Sequence, residues 1–317
     1  MQFFFEVLIG GLLSGVMYSL VALGFVLIYK ASGVFNFAQG AMVFFAALTF
    51  VGFTEVLPRW FGLEVGGAFV FWLALLLAFG SMILLAIGTE RIVLRPLVNQ
   101  PQITLFMATI GLGFLIEGLA QGMWGAAVRG IDLGIQDEPL MWMMDRTGIG
   151  ISKFDLFASG VSAVLVAVLA ILFNKTRTGR ALRAVADDHQ AALAIGIPLQ
   201  QIWRIVWAAA GFVALVAGLM WGARTGVQFA LTFVALKALP VLIIGGFTSV
   251  PGAIIGGLII GASEKLGEIY IPPFVQSTLG LEANLSGIEG WFPYVMALLF
   301  LLVRPEGLFG EKHIDRV

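Results

Sequence analysis

The sequence predicts an all-α membrane protein that crosses the bilayer several times. Of its 317 residues, 60% are hydrophobic and 12% are charged, whereas a soluble domain has roughly 45–50% apolar and about 25% charged residues. The apolar residues also gather in long segments, and a run of about 20 is enough to cross a bilayer as a helix. Composition and segment length therefore both indicate that lipid surrounds most of this chain.

Nine apolar segments are candidate spans, and we expect eight or nine transmembrane helices in a single domain, residues 1–317. The chain begins MQFFFEVLIG, without the basic start of a signal peptide, and its apolar run extends to Tyr29, which is too long for a signal-peptide core. The glycine-rich stretch GGFTSVPG (245–252) predicts a broken hairpin, because interrupted segments are tolerated in a membrane where they are buried in protein or line a wet cavity. The segments are 7–29, 33–53, 66–88, 102–124, 155–173, 201–222, 232–247, 252–270 and 290–303.

Lysine and arginine are distributed unevenly between alternate loops. One set of loops contains Lys30, Arg91, Arg95, Lys175, Arg177, Arg180, Arg183, Arg304, Lys312 and Arg316. The other set contains Arg59, Arg129, Arg146, Lys153 and Arg224 together with most of the loop carboxylates. Because cytoplasmic loops carry the excess of positive charge, the first set is predicted to be cytoplasmic. With nine spans the N-terminus then lies outside and the C-terminus inside. The longest outer loop, about 125–154, is either a lid packed on the bundle or an interfacial, re-entrant or docking element.

Several classes of site are excluded by composition. The net charge of −1 leaves no general basic face for nucleic acid. Without cysteine, and with His189 and His313 as its two histidines, the chain offers neither a thiolate nor a histidine-rich metal site. The sequence also lacks the G-x-x-x-x-G-K-[ST] phosphate loop, so any use of ATP requires a partner. We therefore predict no cofactor and no enzymatic activity on this chain.

The cytoplasmic segment KTRTGRALRAVADDHQAALAIGIPLQQ (175–201) predicts a short amphipathic helix. We expect Gly179 just before this helix and Gly196 just after it. Such a helix suits a groove on a partner protein, although an ordinary solvated connector is the alternative. At 100° per residue, one stripe contains Leu182, Val185, His189 and Leu193, and a broadly opposed stripe contains Arg180, Arg183, Asp187 and Gln190.

Four further stretches accompany this segment along the chain. They are GGLLSGVMYSLVALGFVLIYKASGVFNFAQGAM (10–42), TERIVLRPL (89–97), ALKALPVLIIGGFTSVPGAIIGGLIIGASEKL (235–266) and VRPEGLFG (303–310). In order, all five resemble the first two spans, the arginine–proline loop, the coupling loop, the glycine-rich hairpin and the C-terminal signature of the LivH-type permeases. These belong to the branched-chain amino acid ABC importer family.

The resemblance implies a transport subunit that works only inside a larger complex. A second, LivM-type permease subunit would complete the translocation pathway, two cytoplasmic ATPase subunits would bind ATP, and a periplasmic binding protein would deliver a small-molecule substrate. The chain would lie in the lipid of the bacterial inner membrane, with its N-terminus periplasmic. Relatives in this family handle branched-chain or other amino acids, amides, urea and aromatic acids. The coupling residues implied are Gly179, Arg180, Arg183, Ala184, Asp187, Asp188 and Gly196.

Ionisable residues inside spans are costly, and their presence points to function. We hypothesise that Lys237 and Glu264, which both match the family's motif, form an ion pair that holds the hairpin closed; alternatively, they contact charged groups of the substrate. Glu117 stands where the family more usually has an amide, and Gln39 where it usually has histidine. The remaining candidates for the pathway or its gate are Asn36, Phe37 and Gly40.

Two other functions would use the same residues differently. A secondary transporter driven by protons or sodium would need intramembrane carboxylates such as Glu117 and Glu264, but no coupling helix. A membrane-embedded enzyme is disfavoured, since the sequence has no cysteine, no paired-carboxylate metal motif and no His–Ser arrangement.

Overall fold

The computed structural model describes residues 2–97, 100–187, 189–279 and 287–310. Within these ranges the regular structure is helical, and the extended pairings are the isolated bridges Arg129–Val227 and Pro139–Ser152. The helices are α1 (Gln2–Ser32), α2 (Gln39–Phe61), α3 (Ala68–Gly88), α4 (Gln102–Trp124), α5 (Met141–Thr147), α6 (Lys153–Lys175), α7 (Arg177–Asp187), α8 (His189–Ala194), α9 (Leu199–Thr225), α10 (Val234–Lys237), α11 (Leu239–Gly245), α12 (Val250–Leu279) and α13 (Ile288–Val303).

Six helices in the described part of the chain are long and apolar enough to cross a membrane, namely α1, α2, α3, α4, α6 and α9. A seventh span is added if the segment 229–245 and most of α12, which are bent by 114° at their break, count as one. The prediction of an all-α protein with many membrane spans is therefore confirmed. The predicted count of eight or nine is not confirmed.

The difference in count comes from the last third of the chain. The predicted seventh span, 232–247, is divided into a 3₁₀ turn (Phe229–Phe233), α10 and α11. Pro240 lies in the first turn of α11, where its missing N–H costs no helical hydrogen bond but prevents the preceding helix from continuing. Helix α13 has 16 residues, fewer than the roughly 20 that a straight span needs.

The chain folds into two compact units. The first contains residues 1–22, 134–167 and 236–317, and the second contains residues 23–133 and 168–235. In the first unit, the N-terminal part of α1 packs on α12 through glycines four residues apart on both helices. A Cβ added at Gly15 would lie 2.5 Å from the carbonyl oxygen of Gly257, and one added at Gly11 would lie 2.7 Å from that of Gly261. Small residues at these positions allow the two backbones to touch, as in other membrane helix pairs.

The turn between α11 and α12 is covered by the C-terminal signature, residues 303–310. The backbone N–H of Leu308 donates to the carbonyl of Ile244 at 2.7 Å, and that of Phe309 donates to Gly245 at 3.2 Å. Gly246 adopts φ = 99°, which favours glycine, and a Cβ there would meet the backbone of Gly310 at 2.8 Å. Two stretches that are distant in sequence therefore form one structure at this end of the unit.

In the second unit, α2 and α9 are mostly buried, whereas only 28% of the apolar stretch of α3, and likewise of α4, is buried. The backbone of Gly40 on α2 lies against the carbonyl of Thr232, and Gly218 on α9 lies against that of Val43. The exposed apolar faces of α3 and α4 are suited to lipid or to another membrane protein.

The predicted outer loop, about 125–154, folds back on itself. Lys153 forms an ion pair with Glu138 at 3.1 Å, next to the bridge that joins Pro139 and Ser152. The loop also approaches the start of α1, since a Cβ at Gly148 would lie 3.2 Å from the side chain of Gln2. Helix α5 nevertheless leaves Met141, Trp142 and Met144 exposed. The loop thus combines the packing expected of a lid with the exposed apolar surface expected of a docking or interfacial element.

Candidate translocation and coupling sites

Helix α7, in the predicted coupling loop, is fixed to the end of α6. The hydroxyl of Thr176 accepts a hydrogen bond from the backbone N–H of Gly179 at 3.1 Å and so caps the start of α7. The guanidinium of Arg183 donates to the carbonyl of Phe173 and, at 3.3 Å, to that of Asn174. These are among the last carbonyls of α6, which have no partner within their own helix.

Gly179 lies inside this helix. The expectation that it precedes the helix is wrong, because the helix begins at Arg177 once Thr176 supplies the cap. A Cβ at Gly179 would collide with the carbonyls of Phe173 and Leu172. Glycine is therefore needed here for close approach to α6.

The described faces of α7 and α8 agree in part with the predicted stripes. Leu182 and Val185 are buried, and Arg180 is exposed. Leu193, on the same predicted stripe as the two buried residues, is 54% exposed. Ala184 is half-buried, Asp187 ends α7, and Asp188 lies outside the described residues.

Gly196 ends α8 as predicted. It has φ = 82°, its N–H donates to Leu193 at 3.0 Å, and the N–H of Ile197 donates to Ala192 at 3.0 Å. This pair of bonds is the Schellman arrangement, which satisfies the last carbonyls of a helix and favours glycine in the left-handed position.

The two predicted amides, Asn36 and Gln39, are fully buried and lie together. Asn36 Nδ2 donates to Gln39 Oε1 at 3.3 Å, and Asn36 Oδ1 accepts from the N–H of Ala38 at 3.1 Å. Gln39 Nε2 packs against the backbone of Gly24 and has no hydrogen-bond partner in the described structure. Both amides therefore brace the connection between α1 and α2.

Phe37 belongs to an aromatic cluster beside these amides. Its ring centroid lies 4.6 Å from that of Phe35 and 4.8 Å from that of Phe106 on α4. Its backbone N–H donates to Thr109 Oγ1 at 3.4 Å, which also joins the connection to α4. Phe37 is 38% exposed, so one side of the ring is accessible.

Glu117 lies half-buried on α4. Within the part of the chain that the structure describes, no hydrogen bond or ion pair reaches its carboxylate. Its neighbours Phe114, Leu115 and Leu119 are exposed. A charged side chain at the bilayer centre costs a free energy of about 2.5–3.5 kcal/mol. We therefore expect protein or water, and not lipid, to surround Glu117.

Lys237 and Glu264 form the hypothesised ion pair. Lys237 Nζ lies 3.1 Å from Glu264 Oε1, and the hydroxyl of Tyr18 donates to the same oxygen at 3.1 Å. The glutamate is 3% exposed, whereas the lysine side chain is 28% exposed. The structure thus brings these two predicted residues together and adds Tyr18, which the sequence did not identify.

A second buried carboxylate was also missed by the sequence reasoning. Glu90 has no exposed surface, and its Oε2 lies 3.0 Å from Arg204 Nε on α9. Its Oε1 lies 4.0 Å from Arg95 Nε, and Arg95 also hydrogen-bonds to Gln200. The sequence signal that could have revealed it is an acidic residue within the arginine-containing TERIVLRPL. In the structure this residue lies in a π-helical turn that extends α3.

Comparison with known proteins identifies the family of the chain. The family described as "Branched-chain amino acid transport system / permease component" matches residues 7–303. The chain belongs to this family. Over 99% of its length the permease is 25% identical to 98% of LivH from Escherichia coli (strain K12), a "High-affinity branched-chain amino acid transport system permease protein". It is also 25% identical, over the same shares, to BraD of Pseudomonas aeruginosa, which has the same description.

More distant relatives of the permease have other cargoes in their names. The "Fructose import permease protein FruF" of Bifidobacterium longum is 27% identical over 242 residues, which are 74% of this permease and 63% of FruF. No solved structure matches the permease significantly. The family match establishes the family, and the long apolar helices together with the permease relatives establish a multi-pass membrane protein.

Proposed function

We propose that the permease is one half of the translocation pathway of an ATP-driven ABC importer. Its cargo would be branched-chain or related amino acids, or similar small polar organic solutes, delivered by a periplasmic binding protein. The observation that carries the proposal is the match to the family over residues 7–303, because the permeases named LivH and BraD match from end to end. We assign the whole chain, 1–317, to a single permease domain of eight or nine transmembrane helices with a glycine-rich hairpin.

Energy would come from two cytoplasmic ATPase subunits. The sequence has no phosphate loop of its own, and we expect it to bind no cofactor. In the coupling loop, about 175–201, Arg180 is exposed and Arg183 ties α7 to the last carbonyls of α6. An ATPase that pushes on α7 would therefore move the end of α6 directly, and the bundle would alternate between outward and inward access.

The second half of the pathway would be a LivM-type permease subunit. The exposed apolar face of α4 contains Glu117, which has no partner in the described structure. A protein neighbour offers a carboxylate more hydrogen bonds than lipid does. We assign Glu117, Lys237, Glu264, Phe37 and the Asn36–Gly40 turn to the pathway or its gate.

Orientation follows from the distribution of basic residues. We place the N-terminus in the periplasm and the C-terminus in the cytoplasm of a bacterial inner membrane. The basic loop residues Arg91, Arg95 and Arg180 then face the cytoplasm, as positive residues do in most membrane proteins. The turn between α11 and α12, covered by residues 303–310, would lie on the same side.

Copurification tests this assignment against a secondary transporter. The permease, expressed with the proteins encoded beside it and purified in mild detergent, is expected to retain ATPase subunits. Arg180→Glu is expected to weaken that association, while the exposed outer-loop change Asp145→Lys leaves it intact. A permease that never retains an ATPase, and that transports in vesicles without ATP, would be a secondary transporter.

A further inference from the structure

The Lys237–Glu264 pair lies where regular helix is interrupted. Lys237 is the last residue of α10, and α11 begins two residues later at Leu239. Glu264 comes from α12, the long helix that follows. In membrane transporters, interrupted helices mark the places where polar solutes and ions bind, because irregular backbone at that depth is tolerated only beside protein or a wet cavity.

Only one oxygen of the Glu264 carboxylate accepts hydrogen bonds in the described structure. Its Oε1 accepts from both Tyr18 and Lys237, at 3.1 Å each. Its Oε2 is buried and has no hydrogen-bond partner in the described structure. A buried carboxylate oxygen without a donor is unfavourable, so this oxygen is suited to accept hydrogen bonds from a ligand ammonium.

Lys237 offers the complementary group. Its ammonium has three N–H donors, of which one is directed at Glu264. Its side chain is 28% exposed, so part of it remains accessible while Glu264 is buried. A ligand carboxylate is the natural partner for the remaining donors.

We propose that Lys237 and Glu264 form a subsite for the zwitterionic head of an α-amino acid. The ligand's carboxylate binds Lys237 Nζ, and its ammonium binds Glu264 Oε2. Without ligand the two side chains neutralise each other, so the closed pair stands in for the substrate. With ligand the pair separates, and the ligand's two charges replace the direct contact between Lys237 Nζ and Glu264 Oε1.

This inference rests on the proposed function for its cargo class, but it makes a separate demand. A pair that only holds the hairpin closed would be indifferent to the charges of the ligand. A zwitterion subsite requires both charges, and each residue must account for one of them.

The test is ligand-detected NMR on the purified complex in nanodiscs, without ATP or binding protein. The probes are L-leucine, 3-methylbutylamine, which lacks the carboxylate, and 4-methylpentanoate, which lacks the ammonium. The wild-type complex is expected to bind L-leucine at least about tenfold more tightly than either analogue, because each lost charged contact is worth roughly one order of magnitude. Equal binding of the three probes, or no binding of L-leucine, overturns the proposal.

Variants then assign the charges. Lys237→Met is expected to reduce L-leucine binding to the level of 3-methylbutylamine without lowering the amine's own affinity, since the amine no longer has to displace Lys237 from Glu264. Glu264→Gln should likewise reduce L-leucine binding to the level of 4-methylpentanoate, without lowering the affinity of 4-methylpentanoate itself. The control is Lys265→Met on the same helix, which breaks the Lys265–Glu268 pair (2.7 Å) and is expected to change no probe. A uniform loss for all probes in Lys237→Met contradicts the subsite, and Lys237→Gln, which also lacks the charge, repeats the comparison if Lys237→Met does not fold.

Uptake separates this inference from the proposed function. ATP-dependent uptake of L-leucine with no charge discrimination at the pair overturns the subsite alone. Binding that requires both charges, in a complex that hydrolyses no ATP, overturns the importer assignment alone.

Discussion

Arg204 Nε lies 3.0 Å from Glu90 Oε2, and this contact joins the start of α9 to the end of α3. Arg204 lies six residues after Pro198, where the predicted coupling loop ends and α9 begins. The neighbouring residue Trp203 donates its indole N–H to the carbonyl of Ala31 at 3.1 Å. The first turns of α9 are thus attached to α3 and to the end of α1, so we expect a displacement of the predicted coupling loop to be passed to both.

Glu90→Gln is expected to destabilise the permease by about 2–3 kcal/mol, because it removes a charge-assisted hydrogen bond from a fully buried position. The loss should stay below the roughly 3–5 kcal/mol of a fully buried ion pair, since Arg204 is 42% exposed. Thermal unfolding in detergent measures it. The matched control is Glu55→Gln, which breaks the exposed Arg129–Glu55 pair and should cost at most about 1 kcal/mol. Equal effects of the two changes would show that Glu90 has no special role.

Gly15→Ala is expected to lower the thermal stability markedly, because a Cβ there would press on the backbone of Gly257, which has no flexible side chain to move away. Overpacking of this kind costs roughly 1–3 kcal/mol. Gly10→Ala is the control on the same helix, where a Cβ meets nothing within 4 Å. It should be neutral or slightly stabilising, as alanine favours helix over glycine. Similar melting temperatures for the two variants would contradict the close packing of α1 on α12.

Arg183→Ala and Arg180→Ala should separate two roles of α7, namely its attachment to α6 and its proposed contact with an ATPase subunit. Arg183 holds two carbonyls at the end of α6, so its loss is expected to reduce both thermal stability and substrate-stimulated ATP hydrolysis by the complex. Arg180 is exposed, so its loss should reduce hydrolysis or ATPase affinity without changing the melting temperature of the isolated permease. An unchanged rate of hydrolysis in both variants would contradict the coupling assignment.

Single cysteines can test the orientation cleanly, since the chain has no cysteine of its own. Thr178→Cys on α7 and Asp145→Cys on α5 are both at exposed positions. In intact cells with a permeabilised outer membrane, a membrane-impermeant maleimide is expected to label Asp145→Cys and not Thr178→Cys. In inverted membrane vesicles the pattern should be reversed. Labelling of Thr178→Cys from the periplasm would invert the proposed topology.

Features that depend on local composition could be predicted from the sequence. Apolar segment length predicted the long helices, and the spacing of Gly196 after an amphipathic stretch predicted how α8 ends. The pairing of Lys237 with Glu264 could also be inferred, because each is a charged residue inside an apolar segment and needs a partner.

Features that depend on interactions between distant residues could not be predicted from the sequence. The partner of Glu90 is 114 residues away, and a glutamate next to an arginine in a predicted loop gives no sign of burial. Gly179 was misplaced because its role is set by the carbonyls of α6, not by the pattern of its own helix. The predicted count of spans is not confirmed in the last third of the chain, because hydropathy reports composition, whereas the breaks between α10, α11 and α12 are set by Pro240 and by backbone packing around Gly245 and Gly252.

The most direct test of the importer assignment is uptake of L-leucine into proteoliposomes that contain the permease with its copurified partner subunits. Binding protein is supplied on the outer side, and ATP is enclosed with the ATPase subunits. We expect uptake that requires ATP, the binding protein and an intact coupling loop, and that is unaffected by collapsing the proton and sodium gradients. Uptake by the permease alone, driven by an ion gradient without ATP, would contradict the assignment.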